Sequence, residues 1–270
     1  MDRRDQLAFL IDALLAEMPE YREQAGQFPP DDTSQRRLLR SLMNVRPPMP
    51  LDLAFLEVQD ALLSAETEEK GVVDGDALPP TAGDARLVLW QGDITRLRAD
   101  AVVDADNAAL LGCFAPCHGC IDNAIHSAAG LQLREACFQL MQAQGRPEPN
   151  GRAKLTGGYN LPARHVLHTV GPIVRGRVTQ RDREELVSCY HACLELAAER
   201  GLHSVAFCCI STGEFHFPNR EAAQIAVDTV RECLRQKTSI RRVIFNVFKD
   251  LDAEIYRGLL GPDRGAETGP

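Results

Sequence analysis

At 270 residues, with 44% hydrophobic and 25% charged side chains, the chain is long enough to bury one or two cores and has a globular composition. Its formal charge of −8 argues against a nucleic-acid backbone as main partner, because polyanion binders present a basic face. No stretch approaches the roughly 18 apolar residues of a membrane span, and nine unevenly spaced cysteines do not read as a disulfide framework, which points to a reducing, cytoplasmic setting.

The first predicted element is a helix in which Leu7, Phe9, Leu10, Ile11, Leu14 and Leu15 recur at helical spacing, stopped at Met18-Pro19. A second runs from Ser34 to about Val45 (Leu38, Leu39, Leu42, Met43) and ends before Pro47-Pro48. A third runs from Leu51 to about Glu66. Residues 1–70 thus form a helical extension, and 71–84, rich in Gly, Pro and Asp, have the composition of a linker. From 85 to 260 short apolar runs alternate with helical stretches. Strands are expected at Arg86 to Trp90, Ala101 to Val103, His165 to Val170, Val205 to Ile210 and Val243 to Phe248. Helices are expected near Cys120–Gln144, Arg183–Arg200 and Arg220–Arg235. This alternation implies an α/β fold, a mainly parallel sheet covered on both faces, with ligands at the carboxyl ends of the strands. Residues 261–270 read as a disordered tail.

Three motifs carry chemistry. In Cys113-Phe114-Ala115-Pro116-Cys117-His118-Gly119-Cys120, thiols and an imidazole crowd a loop and suit zinc. Four ligands including Cys117 would make a closed structural site; three would leave an open position. Gly92-Asp93-Ile94-Thr95 follows the first strand and by itself reads as a Gly-Asp turn. Cys209-Ile210-Ser211-Thr212-Gly213-Glu214-Phe215 precedes a helix, the arrangement by which amides and a helix N-terminus cradle phosphate.

In order and spacing, the chain resembles the macrodomain family over residues 85–260. The resemblance rests on Gly92-Asp93-Ile94-Thr95, Val103-Asp104-Ala105-Asp106-Asn107, Asp122 to Gly130, Gly151 to Pro162, His168-Thr169-Val170-Gly171-Pro172 and Ile210-Ser211-Thr212-Gly213. Cys113, His118 and Cys120, in place of the usual glycine-rich loop, resemble the zinc-containing branch, whose members carry an N-terminal helical extension and are associated with sirtuin-type ADP-ribosyltransferases. The resemblance implies a three-layer α/β/α fold with a mixed, mostly parallel sheet. It implies that Asp93 accepts from the adenine amino group with Ile94 beside it. Ser211, Thr212, Gly213, Glu214 and Phe215 hold the diphosphate, and Phe215 or Phe217 packs near the ribose. Asn107 hydrogen-bonds the distal ribose. Cys113, His118 and Cys120 hold one zinc ion whose fourth position faces that ribose, which favours the open site. Asp122 takes a catalytic position, with an N-cap for the following helix as its structural alternative.

Two departures are evident. Asp104 and Asp106 stand where most macrodomains have asparagine and alanine, and Glu214 brings a carboxylate to a diphosphate loop, so it is expected to point away or to contact another group. The leading function is a zinc-dependent hydrolase freeing ADP-ribose from mono-ADP-ribosylated protein. The alternatives are an ADP-ribose-binding module with a structural zinc, and a phosphatase acting on ADP-ribose 1″-phosphate. The remaining cysteines, with His165 and His168, read as core or surface residues.

Overall fold

A computed structural model describes residues 1–261, so of the expected tail only Gly261 falls within the described residues. The extension consists of helices α1 (Arg3–Glu17), α2 (Arg22–Ala25), α3 (Asp32–Val45) and α4 (Leu53–Lys70). Each long helix starts on an aspartate that accepts amides of the first turn: Asp2 from Asp5, Asp31 from Ser34, and Asp52 from Ala54 and Phe55. Their apolar faces meet in one core of Leu10, Leu14, Leu39, Leu42 and Leu62, which Leu131 joins from outside the extension.

Segment 71–84 is tied down along its length. Strand β1 (Val73–Asp74) pairs in parallel with β3 (Leu97–Arg98), and the Arg242 guanidinium donates to the carbonyls of Gly75 and Leu78. A side chain at Gly75 would lie 2.7 Å from the Arg98 carbonyl, so only glycine lets the segment approach so closely.

The main sheet contains β2 (Leu87–Gln91), β4 (Ala101–Ala105), β5 (Ala153–Gly157), β6 (His165–Thr169), β7 (Ser204–Phe207) and β8 (Arg242–Val247) in the order β2-β8-β7-β4-β6-β5. All neighbours are parallel except β5, which closes one edge antiparallel to β6. Helices α5 (Ile121–Ala129) and α6 (Leu131–Gln144) cover the face that bears Asp104 and His168, with the extension outside them. Helices α7 (Gln180–Glu199), α8 (Asn219–Arg235) and α9 (Asp250–Leu260) pack together over the other face, where Tyr190 meets Phe207 at 4.9 Å and Tyr256 meets Phe245 at 5.2 Å between ring centroids. This is the expected three-layer fold with helices on both sides.

The single helix expected over Cys120–Gln144 is two helices broken at Gly130. Gly130 has φ 95°, and a Cβ there would come within 2.6 Å of Gln132 Oε1 and 2.7 Å of Gln59 Nε2. Strand β5 and helix α9 were not among the expected elements.

Candidate functional site

Gly92-Asp93 follows β2, Asp106-Asn107 follows β4, Cys208-Cys209 follows β7 and Phe248 follows β8. All of them line one cavity of about 640 Å³ at the carboxyl ends of the parallel strands. The same cavity takes in Ile94, Cys113, His118, Cys120, Asp122, Ser211, Thr212, Gly213, Glu214 and Phe215, so every expected site residue reaches it.

Asp93 opens a single 3-10 turn. Its Oδ1 accepts from the amide and hydroxyl of Thr95 at 3.0 and 2.7 Å. Ile94 is 2% exposed and packs into the main core, so its share of the cavity wall is small. In the 209–218 loop, Ser211 (φ 64°) and His216 (φ 59°) take left-handed backbone, and Phe217 N–H closes the loop on the Ser211 carbonyl at 2.9 Å. The amides of Gly213, Glu214 and Phe215 donate to no other described residue, which makes the loop a nest for an anion. Phe215 lines the cavity, whereas Phe217 is sequestered in the core.

Glu214 was expected to turn away or find another partner. It lines the cavity, and its Oε1 lies 3.8 Å from His118 Nε2. The imidazole gives the carboxylate a neighbour other than a diphosphate.

The 113–120 loop is organised by the extension. Single donor atoms of Cys113, His118 and Cys120 all lie within 4.8 Å of one another, with Cys113 Sγ 3.7 Å from His118 Nδ1. Cys117 is turned out of this group. Its backbone is left-handed (φ 53°), and its Sγ lies 3.3 Å from Ser41 Oγ and 3.6 Å from the Arg37 carbonyl of α3. Its amide donates to Asn44 Oδ1 at 2.9 Å, while Arg40 reaches the His118 carbonyl at 3.4 Å and Asn123 Oδ1 at 2.6 Å. Asn123 in turn donates to the Ala115 carbonyl at 3.0 Å. Two thiols and one imidazole facing a cavity are a donor set that fits zinc with one position open. Burial, reinforced by Cys113, pushes the Cys120 thiol up to about 12, so a thiolate there calls for a cation.

Asp122 is not the N-cap of α5. Cys120 holds that position and accepts from the Asn123 amide at 3.4 Å, because the chain enters the helix one residue before Asp122. Asp122 is 5% exposed, with Oδ2 3.5 Å from Asn107 Nδ2 and Oδ1 3.6 Å from His126 Nε2. Burial and the nearby Asp106 hold its carboxyl well above the usual range, while His168 and Arg134 oppose the shift. Asn107 Oδ1 accepts from the Ala109 amide at 3.0 Å, which fixes the orientation of its side chain.

Sequence reasoning did not anticipate Phe248, which is 76% exposed at the cavity rim, or the braces Arg40 and Asn44. No local spacing signals a rim residue or a contact between segments some eighty positions apart.

Fold and cavity define a class of three-layer α/β proteins whose ligand site lies beyond the carboxyl ends of parallel strands. The chain belongs to the macro domain family, whose model matches residues 103–226. It is 47% identical over 262 residues to the protein-ADP-ribose hydrolase of Treponema medium, covering 96% of this chain and 100% of that protein. Among solved structures, the Oceanobacillus iheyensis macrodomain with MES bound superposes with a TM-score of 0.58 at 36% identity, covering 64% of this chain and 87% of that one. The Trypanosoma brucei macrodomain in complex with ADP-ribose gives 0.64 at 29% identity, covering 82% and 95%.

Proposed function

We propose that this chain is a zinc-dependent hydrolase that releases ADP-ribose from mono-ADP-ribosylated protein. The observation that carries this reading is the junction of two features in one cavity. The anion nest at 211–215 and a three-donor metal loop, with Cys117 directed elsewhere, share the same walls. The relative's name as a protein-ADP-ribose hydrolase and the ADP-ribose complex of the trypanosomal macrodomain support the same substrate class.

In this reading Asp93 uses its remaining carboxylate lone pairs to accept from the adenine amino group. The free amides of Gly213, Glu214 and Phe215 take the diphosphate, and Phe215 flanks the ribose. Asn107, its Oδ1 already occupied by the Ala109 amide, presents Nδ2 to the distal ribose. When bound at Cys113, His118 and Cys120, zinc supplies a divalent Lewis acid with an open position at that end of the ligand. Asp122 carries the proton, since it lines the cavity beside Asn107, from which its Oδ2 accepts, and burial holds its carboxyl well above the usual range. Glu214 orients His118 through its 3.8 Å approach to Nε2.

The deciding experiment offers the purified protein mono-ADP-ribosylated substrates of defined linkage, with and without a zinc chelator. Release of ADP-ribose that the chelator abolishes is expected, and no release from any linkage would sink the proposal. Cys113→Ala separates the enzyme from a binding module. Turnover should fall at least about a hundredfold while ADP-ribose binding persists. Release of inorganic phosphate in place of ADP-ribose would mark a phosphatase.

A further inference from the structure

At the cavity floor, which Asp106 lines, lies a buried group of side chains that the hydrolase reading does not use. Strands β4 and β6 run side by side with Asp104 opposite His168, and two residues on, past the end of β4, Asp106 returns to the same face. Helix α5 lowers His126 onto them. Asp104 and His168 are fully sequestered, Asp106 is 1% exposed and His126 5%. Asp106 Oδ2 lies 2.7 Å from His168 Nδ1, and His126 Nε2 lies 3.8 Å from Asp104 Oδ2. One donor atom from each of the four falls within 4.8 Å of all the others.

The hydrogen bonding of this group is incomplete. Both carboxylate oxygens of Asp104, Asp106 Oδ1 and both ring nitrogens of His126 have no partner among the described residues. Buried polar atoms left in this state are rare, and each one signals a missing partner. No lysine or arginine among the described residues pairs with either aspartate. The buried Arg134 is committed elsewhere: its Nη1 lies 2.6–2.9 Å from the carbonyls of Met43, Asn44 and Arg46, and its Nε donates to Leu111. Burial pushes both carboxyls up and both imidazoles down. The two rings are therefore neutral and offer lone pairs. His168 Nε2 is engaged by Thr156 Oγ1 at 2.9 Å, the kind of outer contact that commonly fixes a ligating histidine, and this leaves Nδ1 to share an ion with Asp106.

We propose that Asp104, Asp106, His126 and His168 form a second metal site, closed and four-coordinate, that takes one divalent first-row transition ion. Two carboxylates neutralise the charge of such an ion, and two imidazoles bias the set towards zinc or cobalt over magnesium or calcium. Binding displaces the protons held by the two carboxyls. Near-complete burial of all four side chains makes it a structural site, distinct in donors from the thiolate loop. It ties the end of β4, which continues into Asn107, to α5, which carries Asp122. The neighbouring Cys137 Sγ lies nearer His168 Nε2, at 3.6 Å, than Nδ1, at 4.0 Å, on the side of the ring that faces Thr156 rather than Asp106.

The test measures metal by mass spectrometry in protein expressed with zinc or cobalt. Cys113→Ala/Cys120→Ala protein should retain one ion per chain. Its cobalt form should show tetrahedral d–d absorption without a sulfur-to-cobalt charge-transfer band. Adding Asp104→Asn and Asp106→Asn should remove that ion and the absorption. Retention of the ion after the aspartate changes, or a cysteine-substituted protein that carries none, overturns the proposal. If the aspartate variants do not fold, the cobalt spectrum of the cysteine-substituted protein decides alone, and absence of the d–d band overturns the site. The thiolate site is judged separately. Wild-type protein with one ion that survives loss of both cysteines upholds this cluster while sinking the other, and two ions in wild type uphold both.

Discussion

Gly171 holds the anion loop in place by having no side chain. A Cβ there would sit 2.1 Å from Ser211 Oγ and 2.8 Å from Ile210 Cγ2. Overpacking of this kind costs about 1–3 kcal/mol, so Gly171→Ala is expected to push the Ser211 loop outward and weaken ADP-ribose binding by roughly tenfold or more. Titration calorimetry measures it, and an unchanged affinity would mean that the loop is not set by this contact. Cys117 supplies the opposite case, a cysteine inside the metal loop whose thiol faces α3. Cys117→Ala should keep the metal content and leave turnover within about twofold, since a lost weak thiol hydrogen bond is a small term. Loss of the ion in that variant would restore the closed, four-ligand site. The individual site residues were legible in the sequence because the resemblance rests on short motifs. The Asp104–His168 pairing was not, although both residues stood in quoted motifs, since it depends on the register of β4 against β6. His168 read as a plain core or surface residue for the same reason.

At the scale of elements, two helix connections lend themselves to measurement. Asn44, 2% exposed, accepts from the Cys117 amide and donates to Ser127 Oγ at 3.0 Å. Asn44→Ala leaves the half-buried Cys117 amide without its acceptor and Ser127 with its bond to Asn123 alone, a cost of about 1–3 kcal/mol. The expected outcome is a lower Tm together with faster extraction of metal by chelator, while ADP-ribose affinity holds. Helix α7 begins in a capping box, in which the Thr179 side chain accepts from the Asp182 amide and Asp182 accepts from the Thr179 amide and hydroxyl. Thr179→Ala should cost about 1 kcal/mol. These hydrogen bonds from Thr179 hold the Asp182 carboxyl below its usual value. Its folded pKa is the lower one, so the stability it gives is present above the unfolded pKa near 3.9 and is lost as pH falls through the folded value. Melting curves of wild type and Asp182→Asn should therefore differ at neutral pH and converge between about pH 4 and 2; a gap that persists in acid would discount the carboxylate. The long helices were legible from their apolar spacing, α3 above all, with Leu38, Leu39, Leu42 and Met43 buried as expected. Strand β5 was missed because Ala153 to Gly157 is a half-buried edge carrying Lys154, Thr156 and Gly157, without the apolar run of an inner strand. Helix α9 was missed although Ala253, Tyr256 and Leu260 recur on its buried face at helical spacing.

At the scale of the whole molecule, the extension and the sheet-bearing part share a seam. Leu131 of α6 completes the extension's core, and the buried Arg134 donates to three carbonyls at the end of α3. Removal of residues 1–70 would strand a guanidinium that now has its acceptors and would strip the metal loop of Arg40 and Asn44. The truncated chain is expected to aggregate, or to melt well below the intact protein in differential scanning calorimetry; an equal Tm would show that the seam is dispensable. The intact chain should gain stability from its ligand, about 2.7 kcal/mol at a hundred times Kd, visible as a rise in Tm with added ADP-ribose. Composition and alternation made the fold class readable. They could not disclose that 71–84 is stitched to β3 and Arg242, because backbone pairing over so short a span leaves no periodicity.

The brace between the extension and the metal loop has a consequence for how this surface can change. Asn44 grips the amide of Cys117, Arg40 the carbonyl of His118 and Asn123 the carbonyl of Ala115. Each grip is on main chain, so the loop's path is set independently of the side chains it displays at Ala115 and Gly119, whereas the Phe114 ring lies 4.3 Å under the Arg134 guanidinium. Ala115 and Gly119, the second of which lines the cavity, are open to substitution without loss of the loop's path. Selectivity for one modified protein over another can drift there while the ligands and their scaffold stay fixed, which makes them the natural place to randomise when the protein acceptor is to be re-specified.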